Sequence, residues 1–97
     1  MPHFGVEICR QRLRPSHFHR AVINAEIFRP DDAVAAGFLD RVVSVAELAE
    51  AARLTAVGLG RLDRDAHAAT KLRARDQALK AVRAAIGADE AIFQARL

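Results

Sequence analysis

Apolar residues recur along this chain mostly at three- and four-residue steps, and the runs break at proline, glycine and short polar clusters. Val6, Cys9 or Arg10, and Leu13 have helical spacing. Ile8 lies beside them and Glu7, Gln11 and Arg12 fall on the wetter side, which predicts a first helix over Phe4 to Leu13. Arg14-Pro15-Ser16 breaks it, because a residue before proline avoids the α region while proline itself suits a first helical turn. A second helix is expected from Pro15 to about Ile27. Phe18, Val22 and Ala25 or Glu26 recur at four-residue steps there, and Ala21 and Ile23 widen the face.

The stretch from Phe28 to Val43, FRPDDAVAAGFLDRVV, has the clearest local chemistry. Pro30 fits the first helical position, Asp31 and Asp32 complement the positive end of the helix dipole, and Gly37 can take the left-handed conformation that closes a helix. A helix of about two turns is expected. Phe38, Leu39, Val42 and Val43 then flank the charged pair Asp40 and Arg41, which favours an extended segment pressed into a core.

Ser44 and Glu47 have the spacing of a capping box and predict the next helix. Its apolar face is Leu48, Ala51, Ala52, Thr55 and Leu59, opposite Glu50 and Arg53, with Gly58 and Gly60 loosening its end. Asp63 or Asp65 can cap the last helix, expected from about Ala66 to Ile86 with a stripe of Ala68, Leu72, Leu79, Val82 and Ile86. Gly87 is expected to end or kink it, and Asp89 to open a final turn holding Ile92 and Phe93. The fold class is therefore mostly α, four to five helices with one short extended segment.

Composition narrows this. At 97 residues the chain is one small domain at most, with limited capacity to bury a core. It is 52% hydrophobic but only 5% aromatic, which suits alanine- and leucine-rich helices better than a β-sandwich. A net charge of +3 from 15 basic and 12 acidic residues is too weak to imply nucleic acid. No apolar run approaches the roughly 18 residues of a membrane span, so no membrane partner is expected. The single cysteine, Cys9, cannot form an intramolecular disulfide, and with no signal peptide visible a reducing, cytoplasmic compartment is expected. Met1-Pro2-His3-Phe4-Gly5 reads like a loop entering a helix within a longer protein.

The segment Pro30-Asp31-Asp32-Ala33-Val34-Ala35-Ala36-Gly37 followed by Phe38-Leu39-Asp40-Arg41-Val42-Val43 resembles the C-terminal part of the enoyl-CoA hydratase/isomerase superfamily, the crotonases. Three further pieces fall in the family's order. They are Ala21 to Phe28, where the family more often has glycine at the position of Ala25, the capped helix from Ser44, and Thr70-Lys71, similar to a "TK" or "AK" early in the family's next helix. The resemblance implies that residues 1–97 are a single C-terminal helical region. Crotonases build their reaction centre on an N-terminal spiral of β-turns, where two backbone N–H groups polarise the thioester carbonyl and carboxylates handle the proton; that domain lies outside these residues. The parent is then expected to be an enoyl-CoA hydratase-like lyase or isomerase acting on acyl-CoA, with coenzyme A as part of the substrate and no separate cofactor. This region would supply pocket wall and the surface of a trimer or hexamer, and would be inactive alone. Lys71 is implied to approach the CoA phosphates, and Phe93 the acyl or pantetheine end of the pocket.

Other chemistry is weaker. His3, His17, His19 and His67, with Glu7 or Glu26, lack any metal-ligand spacing, and His17 and His19 point apart on a helix. Cys9 reads as a small buried apolar residue rather than a nucleophile. Arg10, Arg12, Arg14 and Arg20 form a possible basic patch, better explained as a solvated face. The alternative from another class is a freestanding helical interaction module binding a partner through Leu72, Leu79, Val82 and Ile86.

Overall fold

The structure, a computed structural model, describes residues 1–96, among which there are five helices and no strand. In order they are α1 (His3–Arg12), α2 (Pro15–Val22), α3 (Pro30–Ala36), α4 (Leu48–Gly60), entered through a 3-10 turn at Val45–Glu47, and α5 (Arg64–Ala95). Proline opens both α2 and α3 at the first turn, as the sequence requires.

The core sits where α1, α2 and α3 meet. Cys9 and Leu13, each 7% exposed, pack with Ala21 and the fully buried Ala36, and Phe18, Val22 and Phe28 close around them. Cys9 is thus a buried apolar residue, as expected. Gly37 lets α3 dock there. Its φ of +106° closes α3 with Phe38 N–H donating to Ala33 O at 2.9 Å and Gly37 N–H to Val34 O at 3.2 Å. A Cβ at Gly37 would lie 2.7 Å from the Arg12 carbonyl oxygen, so any side chain would push α3 off the α1–α2 corner. The Arg14 N–H donates to Ala36 O at 3.0 Å and completes the joint.

α2 stops at Val22, short of the expected Ile27. Asn24 N–H donates back to His19 O and Glu26 N–H to Arg20 O while Ala25 takes a left-handed φ of 53°, so the backbone turns out of the helix. The Arg20 guanidinium clasps both Glu26 carboxylate oxygens at 2.6 and 2.8 Å across that turn. A clasp between side chains six residues apart overrides the four-residue apolar spacing that suggested a longer helix.

Residues 38–44 are irregular backbone and are not pressed into a core. Phe38, Leu39 and Val42 remain 39%, 44% and 44% exposed, and only Phe38 has an aromatic neighbour, Phe28, at 5.5 Å. The apolar content that suggested burial is present, but no surface among the described residues covers it. The capping box also fails. The Ser44 side chain makes no cap hydrogen bond, and the Glu47 N–H goes instead to the Ser44 carbonyl at 3.0 Å, which tightens the entry into a 3-10 turn.

α5 is longer than expected because Gly87 neither ends nor kinks it; the helix runs unbroken for 32 residues. Asp63 is its cap, accepting from Ala66 N–H at 2.8 Å. Asp89 opens no new turn. From within α5 it caps α1 instead, its Oδ1 accepting from the His3 N–H at 2.7 Å and its Oδ2 from the Phe4 N–H at 2.9 Å. α1 runs antiparallel to α5, with Phe4 near Ile86 and Phe93, and Ile8 near Ala78, Leu79 and Val82.

α4 has no comparable partner. Leu48, Leu54, Val57 and Leu59 are exposed, and the face of Leu48, Ala51, Ala52, Thr55 and Leu59 only borders an open groove beside Asp40, Arg41 and Val43. The radius of gyration is 16.7 Å, against about 13 Å for a compact domain of this size. The chain is an open arrangement of helices around one small core.

Candidate functional site

A cleft with a basic edge lies at the corner between α4 and α5. There α4 ends at Gly60, Leu62 and Asp63 turn the chain, and the first two turns of α5 place Arg64, His67 and Lys71 at three- and four-residue spacing. Leu59, Leu62, Ala68 and Leu72 complete an open cleft of about 440 Å³. Among the described residues neither Arg64 nor Lys71 is held in an ion pair, so the basic edge faces solvent above an apolar floor. Such a surface suits an anionic group attached to a less polar body.

Phe93 lies elsewhere. It is 22 residues further along α5, a rise of roughly 33 Å, and is 64% exposed beside Phe4, Ile86, Glu90 and Gln94. The structure therefore does not bring Lys71 and Phe93 into one site within a single chain.

The arginines near α1 and α2 are largely occupied. Arg12 pairs with Asp40 at 2.6 Å, Arg20 with Glu26, and Arg10 lies 4.9 Å over the Phe18 ring and 3.4 Å from Glu7. They tie elements together and leave no free cationic patch of four. The Arg20 guanidinium lies 5.6 Å over the Phe28 ring, and its hydrogen bonds hold the Glu26 carboxyl below its ordinary range. The Arg53 guanidinium does the same to Glu50 on the outer face of α4. At Asp89 partial burial opposes the charged form, but the Phe4 and His3 amides and the His3 ring outweigh it and lower the carboxyl. Among the described residues no three His, Cys, Asp or Glu groups gather as metal ligands, and no helix is long and apolar enough to cross a membrane.

The sequence offers Asp89 only as the start of a final turn and hides its role as the cap of α1, because its partners are 86 and 85 residues away and leave no local pattern. Arg64 and His67 were missed as neighbours of Lys71 because the helix was expected only from about Ala66, whereas α5 starts at Arg64 and puts all three at helical spacing.

Comparison with solved structures supplies the context for this corner. An enoyl-CoA hydratase/isomerase family protein from Pseudomonas syringae is 52% identical and superposes with a TM-score of 0.87 over 92% of this chain and 39% of that one. The chain matches the helical C-terminal region of the crotonase superfamily. An enoyl-CoA hydratase from Mycobacterium ulcerans is 40% identical, with a TM-score of 0.88 over 95% of this chain and 40% of that one. An apo enoyl-CoA isomerase from Mycobacterium tuberculosis is 38% identical, with a TM-score of 0.87 over 93% and 40%. No family model and no curated protein matches. The chain thus spans about 40% of the length of the solved crotonases it matches, and their names cover both hydratase and isomerase.

Proposed function

We propose that this chain acts as the C-terminal helical part of an enzyme processing acyl-CoA thioesters, supplying assembly surface and pocket wall but no reaction centre of its own. The observation that carries this reading is the match to crotonase C-terminal helices over nearly the whole chain and only about 40% of each neighbour. The exposed apolar faces of α4 and of residues 38–44 support it, because side chains such as Leu48, Leu54 and Val42 gain nothing from water.

In this reading Lys71, with Arg64 and His67 beside it, meets the phosphates of coenzyme A, and Phe93 belongs to the wall near the acyl or pantetheine end. This reading takes the two contacts, roughly 33 Å apart along α5, from different copies in a trimer or hexamer. Polarisation of the thioester carbonyl, commonly the largest catalytic term in such chemistry, falls to backbone donors outside these residues. Whether water is added across a 2,3 double bond or the bond is moved depends on groups that these helices do not carry.

The reading of a freestanding interaction module is less well supported. α1 lies beside Leu79, Val82 and Ile86 and takes up part of the proposed docking stripe, with Leu79 and Ile86 left 37% and 43% exposed and Leu72 63% exposed.

The test is a chimera in which this chain replaces the matching C-terminal region of the Pseudomonas syringae relative. It should assemble and turn over a short enoyl-CoA, and Lys71→Glu should raise KM severalfold for the CoA thioester while leaving a pantetheine thioester without the nucleotide unaffected. A well-folded chimera that fails to assemble would defeat the module assignment. Equal effects on both thioesters would defeat the role of Lys71.

A further inference from the structure

Two features of α5 coincide near its end. Gly87 sits inside the helix, and apart from its chain neighbours and the helix's own backbone nothing lies within 4 Å of where its Cβ would be, so packing does not demand glycine there. Glycine in a helix interior makes the backbone easier to open than alanine would. Two residues later the Asp89 carboxylate grips the start of α1. Pro2 gives that start no side-chain cap, so the His3 and Phe4 amides depend on Asp89 for partners. An ionised carboxylate only accepts, so the His3 ring donates from Nδ1 to Oδ1 at 2.8 Å and adds a third hydrogen bond to the same grip. Beyond the grip, Ile92 and Phe93 rest against Met1, Pro2 and His3 across open clefts rather than in a packed core.

We propose that residues 88–95 form a hinged flap, with Gly87 as the hinge and Asp89 as the latch that holds the flap, and Phe93 with it, against the first turn of α1. Closed, the flap keeps Phe93 beside Phe4 and Ile86. Open, it frees Phe93 and leaves the first amides of α1 to water, while α5 before Gly87 stays docked on α1 through Ile8, Leu79 and Val82. The two events are coupled because one carboxylate serves both elements.

Amide hydrogen exchange tests this in the full chain. Asp89→Asn keeps the shape but loses charge and acceptor capacity, and should speed exchange at residues 90–95 and at 3–6 by roughly fivefold. Residues 70–82 should keep their rates. Gly87→Ala should slow exchange at 90–95 without touching the latch, and added to Asp89→Asn it should restore part of the lost protection. The chain has no Trp or Tyr, so Phe93→Trp provides a lone fluorophore whose emission should shift red with Asp89→Asn. Uniform acceleration along α5, acceleration at 90–95 without any at 3–6, or no response to Gly87→Ala would each overturn the flap.

Discussion

Replacing Gly37 with alanine probes the joint that organises the fold. Its φ of +106° lies where an L side chain is strained, at about 1–2 kcal/mol. The new Cβ would also meet the Arg12 carbonyl at 2.7 Å and the Leu13 Cα at 3.4 Å. Both are backbone atoms, so relief requires α3 to move away from Arg12 to Arg14 and to stretch the Arg14 N–H bond to Ala36 O. Forced shifts of this kind cost about 1–3 kcal/mol. Alanine stiffens the unfolded chain and returns about 0.4–1 kcal/mol. The net loss is about 3 kcal/mol, a large share of the few kcal/mol that so small a core provides. Urea unfolding followed by the helical circular dichroism signal measures it. Gly58→Ala is the control, since nothing lies within 4 Å of that position, and it should gain about 0.5–1 kcal/mol. If Gly37→Ala unfolds at the same urea concentration as Gly58→Ala, the close approach described here does not hold the fold together.

Ala25→Gly should be neutral or raise stability by up to about 1 kcal/mol in the same assay, because left-handed strain is relieved while unfolded-chain entropy rises; a clear loss would contradict the turn geometry. Acid should unfold the chain through Glu26, Glu50 and Asp89, whose carboxyls are all lowered in the folded state. Stability from a lowered carboxyl is present above its unfolded value and lost as pH falls through the folded one, so helix content should drop below about pH 4. Glu26→Gln should make that drop shallower. Added alone to a short enoyl-CoA, the chain should leave the substrate unchanged, and sustained hydration would overturn the view that the reaction centre lies elsewhere.

What the sequence disclosed was local. The Pro30 start and the Gly37 stop each act within one turn and are found where the chemistry placed them, and of the two candidate caps, Asp63 and Asp65, it is Asp63 that caps α5. Errors arose where distant groups decide. Arg20 and Glu26 end α2 early, and α5 runs through Gly87 with its far end held to α1 by Asp89. Residues 38–43 carried the resemblance correctly while their burial did not follow, because apolar content announces a need for cover without supplying it. At the candidate site, Lys71 came from the resemblance, whereas its apolar floor of Leu59 and Leu62 needed the corner between two helices.

Central to the proposed function are the bare apolar faces of α4 and of residues 38–44 as contact surfaces of a larger assembly. Sedimentation velocity on the purified chain over a wide concentration range tests this most directly. Self-association that grows with concentration, and that weakens when Leu48 and Leu54 are changed together to glutamine, is the predicted result. A folded monomer of 10.6 kDa that stays monodisperse at every concentration, with or without those changes, would contradict it.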